Sequence, residues 1–152
     1  MQAIPATRLL LIGLAVLALF GVGITWQLNQ TGPRGGGTEV IAQGRAIYEA
    51  QCAVCHGPQL EGQPDWQAPL SSGRLPAPPH DATGHTWHHP DDLLFRIVKE
   101  GTAAIVGGGY ESDMPGFGDV LSDAEIHAVL AYIKNTWPER ERTYQENVSQ
   151  PP

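Results

Sequence analysis

Cys52-Ala53-Val54-Cys55-His56 holds the only two cysteines of this 152-residue chain and follows them directly with a histidine. C-x-x-C-H is the attachment signature of a c-type haem: each thiol forms a thioether with a vinyl group, and the histidine ligates the iron. Two intervening residues put both sulfurs on one edge of the ring, and the next side chain can turn beneath it. Cys52 and Cys55 are therefore the candidate covalent attachment points, and His56 the candidate first axial ligand. Three other readings compete. A redox C-x-x-C follows a strand in a βαβ pattern, whereas the flanks here read as helix or loop. A structural zinc site needs four ligands; His85 and His89 have suitable mutual spacing but lie beyond the usual gap from the cysteines. A Cys52–Cys55 disulfide in an exported protein is the plainest alternative.

Haem attachment demands export, and residues 1–30 are consistent with it. Leu9 to Trp26 is an uncharged apolar run behind Arg8. At about 1.5 Å per residue its length reaches roughly 27 Å, close to the hydrocarbon thickness of a bilayer. A cleaved signal peptide is the competing reading. Its best cleavage candidate, Gly21-Val22-Gly23, is followed by bulky Ile24 and Trp26. Residues 1–30 are read as a single-pass anchor, with Arg8 placing the N-terminus in the cytoplasm. The rest then faces the periplasm at a bacterial inner membrane, the side on which haem is attached. Residues 31–37, ending in Gly35-Gly36-Gly37, read as a flexible linker.

Beyond the linker, seven Lys and Arg stand against sixteen Asp and Glu, leaving nine excess negative charges. That sign argues against nucleic acid as a partner and favours basic redox proteins through electrostatic steering. Solubility alone is an equally good reason for it. Only 41% of residues are hydrophobic, and many lie in the N-terminal run. A core this poor suits a domain whose largest apolar group is not an amino acid.

Thr38 can cap a helix beginning at Glu39, with Val40, Ile41, Ile47 and Tyr48 at its apolar positions. Gly44 sits inside it, where glycine costs about 1 kcal/mol relative to alanine, which points to close packing. The run Gly44-Arg45-Ala46-Ile47-Tyr48-Glu49-Ala50-Gln51-Cys52 resembles the first helix of class I c-type cytochromes. There a glycine and an aromatic precede the haem motif, and the helix crosses the last helix at the glycine. The resemblance covers residues 38–137. It implies an all-α, class I cytochrome c-like domain wrapped around one covalent haem c, here preceded by one N-terminal transmembrane helix. Residues 138–152 are left as a flexible C-terminal extension.

The resemblance also implies roles outside the motif. In that family a loop proline's carbonyl accepts the Nδ1–H of the axial histidine, and Ala68-Pro69-Leu70 stands in the corresponding loop. Pro69 would then fix the imidazole tautomer; a plain turn proline is the alternative. The family's distal methionine lies in a loop between the middle and final helices, often before a proline. Met114-Pro115-Gly116-Phe117 occupies such a loop, and Met114 is the only methionine besides Met1. A thioether is a soft, neutral ligand that favours Fe(II), and His/Met coordination raises the haem potential. Trp66, Arg74 and Trp87 are candidates to face the haem or bond its propionates, and Tyr110 and Phe117 to shield it.

Gly57 to Pro90 is long, irregular and proline-rich, and it holds His80, His85, His88 and His89. These four are open to three readings: a copper or zinc site, a replacement axial ligand, or ordinary hydrogen-bonding residues. Pro90-Asp91-Asp92 reads as the start of a helix that runs to about Lys99 and stops at Gly101. Ser122 with Glu125 forms a capping box for the last helix. Ile126, Val129, Leu130 and Ile133 follow at helical spacing, with Tyr132 near the crossing with Gly44.

Iron held by both His56 and Met114 has no open position, so substrate chemistry at the metal is disfavoured and the chain is not read as an enzyme. The expected function is one-electron carriage in a respiratory-type chain, with membrane respiratory complexes as partners. Two alternatives stay open: a haem subunit of a larger oxidoreductase, and a periplasmic copper-binding or sensing haem protein.

Overall fold

The computed structural model describes residues 34–151, so the expected anchor over Leu9 to Trp26 lies outside the described residues. Among the described residues there are helices and no strand, and no helix is long and apolar enough to cross a membrane. The chain divides between Thr38 and Glu39, and the unit Glu39–Pro152 contains the haem motif.

Helix α1, Arg34–Ile47, continues through one wide turn of π geometry, Tyr48–Cys52, into the short α2, Ala53–His56. The helix therefore already includes Gly35 to Thr38, where the sequence suggested a linker and an N-cap. Extending an existing helix is far easier than nucleating one, so the downstream turns carry glycines that would not form a helix alone. π turns gather at functional sites, and this one delivers the chain directly into the two cysteines. Gly57, at φ +78°, ends α2 by donating its N–H to the Ala53 carbonyl at 3.0 Å.

Three further helices follow: α3 over Asp91–Glu100 and α5 over Asp123–Thr136 stand where the sequence suggests them, and the short α4 over Thr102–Val106 is one it did not suggest. The capping box at the start of α5 is formed, with the Ser122 hydroxyl and the Glu125 carboxylate each bonding the other's backbone N–H. Both apolar clusters rest on α5. Val129 and Ile133 pack with Tyr48, Leu60 and Trp137, while Ile126 and Leu130 pack with Leu94 and Leu121. Gly44 is where α1 meets α5. A Cβ built there would collide with the Ala128 carbonyl oxygen and lie 2.9 Å from Tyr132 Cβ.

Most of the stretch the sequence suggested as a flexible extension is helical. Glu139–Val148 forms a sixth helix, α6, whose side chains return to the body of the domain. Its contacts are polar and aromatic rather than aliphatic. Gln145 is fully buried and donates from Nε2 to Asp91 Oδ1 at 2.6 Å. Arg142 donates to the Trp137 carbonyl at 2.7 Å, and the Tyr144 ring meets the edge of Trp87 at 5.3 Å. With no apolar stripe, such a helix looks solvated when read from sequence.

Candidate haem site

His56 ends α2 and is buried, whereas Cys55 before it is exposed and Cys52 is half-buried. Both thiols are free, and burial pushes the Cys52 thiol up to about 11. The motif is held by the chain that follows it. The Tyr48 hydroxyl donates to the Gly57 carbonyl at 2.7 Å, and the Gly62 N–H donates to the His56 carbonyl at 2.8 Å.

The carbonyl that orients His56 is that of Pro78, not Pro69: Nδ1 lies 2.9 Å from Pro78 O. A carbonyl only accepts, so Nδ1 carries the proton and the lone pair sits on Nε2, the tautomer a metal requires. Burial holds the imidazole below its ordinary pKa, and the Pro78 bond opposes that shift in part. Glycines on either side keep the Pro78–Pro79 segment in place. A Cβ at Gly62 would lie 2.5 Å from Pro79 N, and one at Gly84 2.8 Å from Pro79 C. The correction has a physical reason. Pro58, Pro64, Pro69, Pro76, Pro78 and Pro79 all follow the motif, and an irregular loop has no period by which spacing could choose among their carbonyls.

Met114 is half-buried in the loop after α4. Its N–H donates to Ser112 Oγ at 3.1 Å, and the Thr102 hydroxyl donates to its sulfur at 3.3 Å. The loop is fixed to the end of α3, where Phe117 N–H bonds Val98 O at 2.9 Å and Gly118 N–H bonds Lys99 O at 3.0 Å. Arg74 joins this loop to the one after the haem motif by pairing with Asp113 at 2.6 Å. Its Nε lies 3.4 Å from Glu111 Oε2, whereas the Trp87 Nε1 is a buried donor with no hydrogen-bond partner among the described residues. Trp66 instead stacks on His85 at 5.2 Å.

The four loop histidines do not converge. His80 stacks on His56, His85 lies between Trp66 and His89, and His88 packs on Trp87 and Tyr144. Among the described residues no group of three metal-ligating side chains could hold an ion. Burial lowers the pKa of His85 and His89, with neighbouring histidines adding to the shift. Thr86 and Pro78 are site residues the sequence does not single out, and His80 stands out in it only as one of the four loop histidines. The only local signal was the run Pro78-Pro79-His80, which marks an extended segment of fixed direction.

The sequence matches the family model described as Cytochrome c over residues 41–137. It is 27% identical over 97 residues to a cbb3-type cytochrome c oxidase subunit CcoP of Azospirillum sp. (strain B510). That alignment covers 62% of this chain and 28% of the relative, so the chain spans little more than a quarter of the protein it matches. No solved structure matches it.

Proposed function

The chain belongs to the cytochrome c family, and from that membership we propose that it is a one-electron carrier whose haem iron is held by His56 and Met114. Membership itself brings a covalent c-type haem and electron transfer. His56 carries the finer reading: it is buried, and its Nδ1 proton is committed to Pro78, which leaves Nε2 as the metal-binding nitrogen.

The residues present fit a haem. Cys52 and Cys55 are free thiols at the attachment spacing. Trp87 Nε1 is a buried donor without a partner among the described residues, of the kind that propionate oxygens use. Bound haem supplies an iron that alternates between Fe(III) and Fe(II). The Pro78 carbonyl raises the basicity of the His56 imidazole and fixes its orientation. Met114 retains a sulfur lone pair for a metal while Thr102 bonds the other. An iron held by both His56 and Met114 would have no position left for a substrate, which favours electron carriage over catalysis.

The uncharged run Leu9 to Trp26 supports anchoring at the outer face of a bacterial inner membrane, with membrane respiratory complexes as redox partners. The CcoP relative favours a second reading, a haem subunit of a larger oxidase. Purification of the full chain in detergent separates the two: a carrier migrates alone, a subunit with a stable partner.

The ligand assignment is tested by optical spectra of the oxidised protein. The weak long-wavelength charge-transfer band of Met–Fe(III) coordination should be present, and both Met114→Ala and Met114→His should abolish it. Survival of the band in either variant would refute Met114.

A further inference from the structure

His80 is built into place from three directions. Its N–H donates to the Leu60 carbonyl at 2.7 Å, and its own carbonyl accepts from Trp137 Nε1 at 2.7 Å. Its Nδ1 is hydrogen-bonded to Thr86 Oγ1 at 2.8 Å. Leu60 takes up a left-handed backbone, φ +68°, to present that carbonyl, a conformation that costs an L-residue roughly 1–2 kcal/mol. Strain of this kind persists only where the surroundings over-determine it.

The imidazole thus held lies flat on His56, with ring centroids 3.9 Å apart and planes inclined by 24°. The edge of Tyr48, itself fully buried, closes on His80 from another side at 6.4 Å. Face-to-face stacking puts the two imidazoles side by side. Ligands on opposite faces of a haem instead meet end to end through the iron, so this arrangement does not make His80 a second ligand to His56's iron.

We propose that His80 is a positioning residue that sets the plane of the axial His56 imidazole. The Pro78 carbonyl fixes one point of that ring but leaves it able to swing about the Nδ1–O line. A flat neighbour stacked on its face removes that freedom. Ligand-plane direction governs how the iron's unpaired spin spreads over the haem edge, so a residue that fixes it shapes the path of the transferred electron. The inference rests on His56 being the iron ligand.

The test is proton NMR of the oxidised full-length holoprotein, in which the order of the four haem methyl shifts reports the axial imidazole plane. In the wild type, strongly shifted His56 ring protons identify the ligand. Their absence would overturn the ligand assignment before any variant is made. His80→Leu should change the order of the methyl shifts while leaving the long-wavelength Met band in place. His80→Phe, which keeps a flat face, should restore the wild-type order. Thr86→Val, which frees the His80 ring without emptying the site, should move the shifts in the same sense as His80→Leu, by less. If Thr86→Val leaves the shifts at their wild-type values, or His80→Leu keeps the wild-type order, the proposal is refuted.

Discussion

Gly44→Ala tests the helix crossing on which the domain is assembled. An alanine Cβ there would lie 2.6 Å from the Ala128 carbonyl carbon and 2.9 Å from Tyr132 Cβ, besides striking the Ala128 oxygen. Favourable carbon–carbon contacts begin near 3.5 Å, so α1 and α5 would have to separate by about 1 Å. The obstructing atoms are mostly helix backbone, which cannot rotate aside as a side-chain end can. Overpacking of this kind costs roughly 1–3 kcal/mol, and more where backbone must shift. Against it stands a gain of about 1 kcal/mol from replacing glycine in a helix. The expected net loss is about 2 kcal/mol at the upper end of that cost, a fall in Tm of roughly 6–10 °C for a domain of this size. Thermal unfolding of the haem-loaded protein, followed by circular dichroism, measures it. Gln43→Ala, on the exposed face of the same helix, is the control and should stay within about 0.5 kcal/mol of wild type. An unchanged or raised Tm in Gly44→Ala would refute the close crossing.

Thr102→Val removes the hydroxyl bonded to the Met114 sulfur. Under the proposed Met114 ligation, the freed lone pair makes sulfur a better donor to Fe(III), so redox titration should show a midpoint potential lower by roughly 20–40 mV, equivalent to about 0.5–1 kcal/mol for one electron. A rise would sink the argument. Gln145→Ala removes the buried amide that joins α6 to Asp91; hydrogen bonds to charged groups are worth roughly 1.5–3 kcal/mol. Denaturant unfolding should show a loss of that order, and limited proteolysis should reach residues 139–148. Wild-type stability and resistance would mean α6 does not depend on this contact. The Ser122 hydroxyl and N–H hold the Glu125 carboxyl below its ordinary pKa. Its contribution is therefore complete above the unfolded value of about 4.3 and is lost as pH falls through the lower folded value. The stability gap between wild type and Glu125→Gln should narrow from pH 5 toward about pH 3; a constant gap contradicts the linkage.

Much of the fold was legible because it is written in short-range patterns. Ile126, Val129, Leu130 and Ile133 repeat at the helical period, and all four are buried in the two clusters of α5. Ser122 and Glu125 stand three apart, and their reciprocal bonds form. Gly44 was conspicuous as a poor helix former, and it lies at the tightest approach of α1 to α5. The misreadings share a different character. α6 has no apolar face and so reads from sequence as a solvated tail, yet Gln145 and Glu141 are buried in it through polar contacts. The resemblance implies Pro69, while the bond is made 22 residues after His56, by Pro78.

The sequence by itself determined the chemistry: two thiols and a histidine whose spacing belongs to covalent haem, and a lone internal methionine in a glycine-rich loop. These depend on residue type and local separation, which a chain carries whatever its fold. Tertiary structure alone decided which carbonyl orients His56, what lies on the face of its ring, and what docks Glu139–Val148 against the domain. Each is a contact between segments far apart in the chain, closed through irregular loops. No periodicity encodes such pairings, so they appear only once packing has chosen which loop returns to which helix.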